Sequence, residues 1–91
     1  MYFEWDESKA ENNQHKHGVS FQEASSCFYD PHQVAFYDPD HSDEEDREIL
    51  MGHSNPGRLL LVVYTLREDT IRLISARPAT KREANDYAQG I

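Results

Sequence analysis

Cysteine is nearly absent from this sequence, which has a single thiol, Cys27, among 91 residues. One thiol cannot form an intramolecular disulfide, and a chain without disulfides suits a reducing compartment. Long apolar runs are also missing. No segment approaches the ~20 apolar residues of a membrane-spanning helix, and the N-terminus lacks the basic start and apolar run of a signal peptide. We therefore expect a cytoplasmic protein that neither crosses nor enters a membrane.

The length limits the number of domains. Single domains usually have about 100 to 150 residues, so residues 1–91 are predicted to form one domain. A chain this short buries only about two-thirds of the surface that it exposes when unfolded. Its stability should be modest, and binding to a partner could raise it.

Positive charge is scarce and unevenly placed. The sequence has 9 Lys and Arg against 17 Asp and Glu, with a net charge of −8, which argues against a wholly basic surface for a polyanion. Residues 1–57 have 3 basic and 13 acidic side chains, whereas residues 58–91 have 6 basic and 4 acidic. This split is typical of a protein that binds RNA on one surface and a basic partner on another, although solvated acidic residues alone would give the same counts.

Local signals mark the ends of the predicted elements. Ser20 with Glu23, and Thr80 with Glu83, have the spacing of capping boxes that open helices. Gly18 stands where a helix would end in the left-handed conformation. The predicted helices cover 6–17, 20–28 and 80–89, and the predicted strands cover 2–5, 33–37, 47–53, 58–67 and 70–77. This order predicts an α+β fold with two N-terminal helices, an antiparallel sheet of three to five strands with helices packed on one face, and a C-terminal helix.

The clearest hairpin joins strands 47–53 and 58–67 across the turn-rich segment Ser54-Asn55-Pro56-Gly57. The last two strands form a second hairpin if Glu68-Asp69 is a two-residue loop. Directly opposed residues then share a face, which pairs Leu66 with Ile71, Tyr64 with Leu73 and Thr65 with Arg72. One face is strongly apolar, and the other carries Thr65, Arg67 and Arg72 near the hairpin tip. We predict that this second face binds RNA, although a slip of one residue would exchange the two faces.

Arg77 precedes a helix whose first turn contains Thr80 and Lys81. A helix N-terminus offers free amides and partial positive charge, so this region could bind a phosphate. The guanidinium fork of Arg77, like those of Arg67 and Arg72, could stabilise a charged transition state. The alternative is structural: a capping box beside arginines that are merely solvated.

Cleavage of RNA through its own 2′-hydroxyl requires proton transfer and cations around the phosphate. His17, Glu83 and Tyr87 are the candidates for proton transfer or base stacking, and Glu83 and Tyr87 face the same way at i,i+4. His17 could instead only interact with the carbonyl end of its helix.

The sequence contains no convincing metal site. His15 and His17 are two residues apart, whereas zinc-binding pairs on a helix are three or four apart. The acidic segment 38–46 begins like a calcium loop, but Asp43 replaces the required glycine. We therefore expect neither a metal nor a cofactor, and we interpret Cys27 as a packed residue.

Three stretches together resemble the BrnT family. They are Phe3-Glu4-Trp5-Asp6 with Lys9 and Asn13; Lys16-His17-Gly18-Val19-Ser20-Phe21 with Ala24 and Phe28; and Ile74-Ser75-Ala76-Arg77 with Ala79-Thr80, Glu83 and Tyr87. The middle is similar too, through Asp38, His41 and Ser42, Arg47, Gly52, Ser54, Gly57-Arg58, Val62-Val63-Tyr64-Thr65 and Arg67. Ala84 departs from the family, whose members often have arginine there.

The resemblance implies a RelE-like fold and a metal-independent endoribonuclease that inhibits translation, the toxin of a type II toxin–antitoxin pair. It also implies neutralisation by a BrnA-like antitoxin with a DNA-binding domain, so that DNA is contacted only through the antitoxin, with possible higher-order toxin–antitoxin assembly. The predicted catalytic residues are His17, Arg67, Arg77, Glu83 and Tyr87, and the predicted RNA-binding residues are Lys16, Arg58, Arg72 and Lys81. The alternative is a noncatalytic module of the same fold that binds protein or RNA.

Overall fold

The computed structural model describes residues 1–38 and 46–90. Its elements follow the predicted order, and most bounds agree within one or two residues. They are β1 (Tyr2–Glu4), α1 (Glu7–His17), α2 (Phe21–Ser26), a 3-10 turn (Cys27–Tyr29), β2 (Val34–Asp38), β3 (Arg47–His53), β4 (Leu59–Arg67), β5 (Thr70–Pro78) and α3 (Lys81–Ala88). The predicted second helix changes to 3-10 geometry at Cys27. Most of the acidic segment considered as a calcium loop lies in residues 39–45, outside the described residues.

The predicted helix signals act as expected, except that only half of the capping box at Ser20 forms, because the Glu23 carboxylate accepts from Ser54 and Arg58. The side chain of Ser20 accepts from the backbone N–H of Glu23 at 3.0 Å, and Thr80 and Glu83 form a complete capping box. Gly18 ends α1 with a φ of 69°, a conformation that costs glycine little because it has no Cβ. Each of these features depends on contacts a few residues apart.

The sheet has five strands in the order β1-β5-β4-β3-β2. The expectation of an antiparallel sheet holds for β2 to β5, but β1 pairs with β5 in parallel, so the sheet is mixed. Parallel neighbours need a long crossover connection, and here everything from α1 to β4 lies between the two strands. β1 pairs only with Thr70 to Arg72, and the rest of β5 therefore has no strand on that edge.

The predicted β4–β5 register is confirmed for Leu66 with Ile71, Tyr64 with Leu73 and Thr65 with Arg72. The register then shifts, because Val63 pairs with Ser75 while Tyr64 pairs with Leu73. Strict alternation from Leu73 would point Ser75 and Arg77 toward the same face as Leu73. The bulge instead puts Ala76 in the core and turns Arg77 to the opposite face.

The core lies between the sheet and the two N-terminal helices. Phe21 and Phe28 of this helical layer pack against strand residues such as Leu60 and Leu73, and the rings of Phe28 and Tyr64 meet edge to face at 5.0 Å. Burying one such side chain stabilises a fold by about 1.5–3 kcal/mol. We call this the helical face of the sheet and the other the open face.

The C-terminal helix is attached differently. None of the residues of α3 is buried. Its side chains contact residues on the open face: Glu83 accepts a hydrogen bond from Arg77, and the ring of Tyr87 packs against that of His53. The expectation that helices pack on one face therefore holds for α1 and α2 only. None of the described helices is long and apolar enough to cross a membrane.

Candidate active site

A cleft of about 280 Å³ opens on the open face of the sheet. Its walls come from the three central strands, from the last residue of β2 and from the last residue of α1. The lining residues are His17, Asp38, Arg47, Ile49, Leu61, Val63, Ser75 and Arg77. Two residues predicted to be catalytic, His17 and Arg77, thus meet in one place although 60 positions separate them in the sequence.

The cleft has an apolar floor and a polar rim. Ile49, Leu61 and Val63 alternate with core residues along β3 and β4 and so point to the open face. Arg47 and Arg77 supply two guanidinium groups at the rim, and Asp38, opposite Arg47 in the sheet, supplies a carboxylate. A low-dielectric floor beside two permanent cations strengthens their interaction with an anionic ligand.

Arg77 is held in place by the last helix. Its Nη1 and Nη2 donate to the two carboxylate oxygens of Glu83, each at 2.8 Å, and Nη1 also donates to the Pro78 carbonyl at 3.2 Å. A guanidinium has five N–H donors, so the Nε–H and one Nη2–H remain available on a second edge. That edge can bind two oxygens of a phosphate while Glu83 holds the first.

Glu83 is therefore ionised, and both of its carboxylate oxygens accept hydrogen bonds from Arg77. Hydrogen bonds from the Arg77 side chain are the main cause that lowers the pKa of Glu83 to about 2, against the opposing effect of burial. The same carboxylate accepts from the backbone N–H of Thr80 at 2.8 Å. A carboxylate with so low a pKa is a weak base, and the geometry favours a positioning role for Glu83.

His17 is placed by the anchoring of its helix. One turn earlier, the buried Asn13 donates to the carbonyl oxygens of Ala76 at 2.9 Å and Val19 at 3.0 Å, and its Oδ1 accepts from the backbone N–H of Ala76 at 3.0 Å. The two bonds to Ala76 satisfy its backbone N–H and C=O on the edge of β5 that β1 does not reach. They fix α1 beside the cleft, so the imidazole at its end lines the cavity.

The hairpin-tip arginines lie outside the cleft lining. Arg72 donates to Glu4 at 2.6 Å, and Arg67 lies 4.0 Å from the same carboxylate. Thr65, which pairs with Arg72, is buried and its hydroxyl has no hydrogen-bond partner among the described residues. Arg67 and Arg72 therefore form a separate cationic region on the open face.

Tyr87 also lies outside the cleft lining. Its hydroxyl donates to Asp30 at 2.9 Å, and its ring meets that of His53 edge to face at 5.2 Å. Burial, followed by the bond to Asp30, raises the pKa of Tyr87 to about 12. Burial raises the pKa of Asp30, but hydrogen bonds from the backbone of His53 and His32 and from Tyr87 outweigh it and lower that pKa to about 2. This arrangement attaches α3 to the body of the protein.

The remaining predicted RNA-binding residues have different surroundings. Arg58 donates to both carboxylate oxygens of Glu23, at 2.9 and 2.6 Å, and to the carbonyl of Gly18, contacts that join β4 to the helical layer. Lys81 is exposed in the first turn of α3. Lys16 lines a second, shallower groove beside the cleft.

Sequence reasoning missed Arg47, Asp38 and Ser75 as parts of one site. Arg47 and Asp38 are opposite each other in the β2–β3 register, and Ser75 reaches the open face only through the bulge. The turn at Ser54 to Arg58, closed by a backbone hydrogen bond of 2.8 Å, was the signal that could have placed Arg47. It fixes the β3–β4 register and with it the face of every β3 residue.

Within residues 1–38 and 46–90, no group of three or more His, Cys, Asp or Glu could hold a metal ion.

Comparisons with known proteins agree with the sequence pattern. The family model described as the ribonuclease toxin BrnT of type II toxin–antitoxin systems matches residues 5–83. The chain is similar to the crystal structure of the Brucella abortus ribonuclease toxin BrnT, with a TM-score of 0.64 and 25% sequence identity, over 89% of this chain and 99% of that one. No curated protein sequence matches the chain. The matched range contains every residue that lines the cleft.

Proposed function

The chain belongs to the BrnT family of ribonuclease toxins of type II toxin–antitoxin systems, and from this premise we propose that it is an endoribonuclease whose active site is the open-face cleft. One observation carries the proposal: His17, Arg47 and Arg77 converge on a cavity in a chain with few cations. A proton-transfer group beside two guanidinium groups is what cleavage at a phosphodiester requires.

The proposed reaction uses the 2′-hydroxyl of the RNA as nucleophile. Its oxygen attacks the adjacent phosphorus, the bond to the 5′-oxygen of the next nucleotide breaks, and the products end in a 2′,3′-cyclic phosphate and a 5′-hydroxyl. We assign His17 to proton transfer, because histidine can accept and release protons near neutral pH. Its imidazole accepts the proton of the 2′-hydroxyl, and the leaving 5′-oxygen takes a proton from the imidazolium so formed or from water. Since the nucleophile belongs to the substrate, we propose that no metal ion is needed to generate it.

Arg77 and Arg47 are assigned to the charge that develops on the phosphate. Arginine remains protonated at neutral pH and binds oxyanions through paired N–H groups. Glu83 leaves the Nε edge of Arg77 available and fixes its orientation, so little reorganisation is needed as the transition state forms. Arg67, Arg72 and Lys81 are kept as outer RNA contacts, and Tyr87 is assigned to holding α3.

Cleavage of cytoplasmic RNA would inhibit translation, and we propose that a BrnA-like antitoxin neutralises the protein. Contact with DNA would then come only through the antitoxin. Both proteins could join a higher-order assembly. The acidic half of the sequence is the proposed antitoxin-binding side, at least in part. Expression alone should arrest growth and co-expression with the neighbouring small gene should restore it. A mapped interface confined to residues 58–91 would contradict the assignment of the acidic side.

The experiment that tests the proposed site compares RNA cleavage by purified variants. His17→Ala should reduce the cleavage rate about 10²- to 10⁴-fold, and Arg77→Ala about 10²- to 10³-fold. The control is Arg82→Ala, which removes an exposed charge outside the cleft and should cleave like the wild type. Circular dichroism checks that each variant folds. Wild-type rates for a folded His17→Ala and a folded Arg77→Ala would reject the cleft as the active site.

A further inference from the structure

A second groove of about 210 Å³ runs along α1 beside the cleft. It shares His17 and Ser75 with the cleft, so the two cavities lie next to each other. The groove exists because β1 stops at Glu4, opposite Arg72, and leaves the next residues of β5 without a neighbouring strand. A ligand that extends out of the cleft can thus lie along this edge of the sheet.

One side of the groove is a stripe of α1. Lys9, Asn12 and Lys16 follow each other at intervals of three and four residues, which puts them on one side of the helix. Asn13 on the same side fixes the helix to Ala76, so the stripe is held against the sheet edge. The rise of ~1.5 Å per residue separates the two lysines by about 10 Å along the axis.

The stripe is positively charged, although the Asp6 carboxylate at the start of α1 attracts Lys9. Lys9 and Lys16 are exposed, and neither forms a salt bridge with any described residue. The acidic residues of the helix, Glu7 and Glu11, do not line the groove. These two lysines are also two of the three basic residues in the first 57 positions of the chain.

We infer that this groove is a second substrate subsite, which binds the phosphodiester backbone of single-stranded RNA next to the bond cleaved in the cleft. This inference rests on the proposed function. Lys9 and Lys16 contact phosphates, and the amide of Asn12 is available to a ribose or base. The ammonium groups act as point charges, so the subsite adds affinity without selecting a sequence.

The test is the dependence of cleavage on substrate length. A dinucleotide can fill only the cleft, whereas a hexanucleotide can also enter the groove, so the wild type should have a lower KM for the longer substrate. Lys9→Ala/Lys16→Ala should lose this gain, with a KM for the hexanucleotide raised roughly tenfold and an unchanged kcat. Loss of two phosphate contacts should also reduce the slope of log affinity against log salt by about 1.4.

Arg82→Glu is the matched control, because it changes the net charge by the same amount as the two lysine substitutions but lies on α3, outside the groove. It should retain the wild-type length dependence and salt slope. If Lys9→Ala/Lys16→Ala also retained both, the subsite would be rejected.

A separate binding measurement distinguishes failure of the subsite from failure of the proposed function. A 2′-O-methyl hexanucleotide cannot be cleaved through its 2′-oxygen, so its Kd reports on binding alone. If the wild type cleaved no RNA, weaker binding of this probe to Lys9→Ala/Lys16→Ala than to Arg82→Glu would still support the subsite. Equal binding to the two variants would overturn it.

Discussion

Arg77 and Glu83 link the local structure of α3 to the proposed chemistry of the cleft. Glu83 closes the capping box of α3 and holds one edge of the Arg77 guanidinium. Because one carboxylate does both, the orientation of Arg77 depends on the first turn of α3 being formed. A change at Glu83 should therefore affect cleavage without removing any group that contacts the substrate.

Arg77→Lys tests the geometry of the phosphate contact. Lysine keeps the charge but has no planar fork, so cleavage should recover only in part relative to Arg77→Ala. If Arg77→Lys cleaved RNA at the wild-type rate, the available Nε edge would have no special role, and charge alone would account for Arg77.

The Glu83 carboxylate also predicts a dependence of stability on pH. Its pKa is lowered from 4.5 to about 2 by Arg77, so its contribution is fully present above the unfolded-state value and is lost as pH falls from 4.5 toward 2. Urea unfolding should show Glu83→Gln to be less stable than the wild type at pH 7, and the difference should shrink across that range. A difference that stayed constant down to pH 2 would mean that the ion pair is not its source.

At the scale of elements, the sequence predicts what short-range contacts determine. The N-caps at Ser20 and Thr80 were predictable because each cap side chain accepts from a backbone N–H only three residues later. The β4–β5 register followed from the two-residue loop at Glu68 and Asp69. The parallel placement of β1 was not predictable, since its pairing with β5 joins residues almost 70 positions apart.

The bulge in β5 had the greatest consequence for the site. It depends on how β4 and β5 fit together around Val63 and Tyr64, and no glycine or turn residue marks it in the sequence. The prediction of Arg77 as a functional residue used its position before a helix and did not establish its face. Only the bulge brings Arg77 to the same side as Arg47 and His17.

The attachment of α3 is the element-scale property most open to test. Its main fixed points are the Arg77–Glu83 pair and the bond from Tyr87 to the Asp30 carboxylate at 2.9 Å. A hydrogen bond to a charged group is worth about 1.5–3 kcal/mol, so Tyr87→Phe should lower the free energy of unfolding by about that amount. Amide hydrogens of α3 should also exchange faster than in the wild type.

The control for this prediction is Tyr29→Phe, which removes a hydroxyl from an exposed tyrosine and should leave both measurements unchanged. Unchanged stability and exchange in Tyr87→Phe would show that the bond to Asp30 does not hold the helix.

For the molecule as a whole, the distribution of charge matters more than its net value of −8. Six of the nine Lys and Arg residues lie on the open face or along the α1 groove at its edge: Lys9, Lys16, Arg47, Arg67, Arg72 and Arg77. The sequence indicated only that basic residues are more frequent after position 57. The fold adds the lysines of α1 and Arg47 to that group, so the cleft, the groove beside it and the hairpin tip together hold most of the basic residues.

The most direct measurement of the central claim is the chemical nature of the RNA ends that the protein produces in the presence of excess EDTA. Attack by the substrate's own 2′-hydroxyl, with His17 and two arginines as the protein groups, predicts that cleavage persists in EDTA. It also predicts fragments that carry a 2′,3′-cyclic phosphate and a 5′-hydroxyl, and resistance of an all-2′-O-methyl RNA. Cleavage that stopped in EDTA and returned with a divalent metal, or fragments with a 5′-phosphate, would contradict the account.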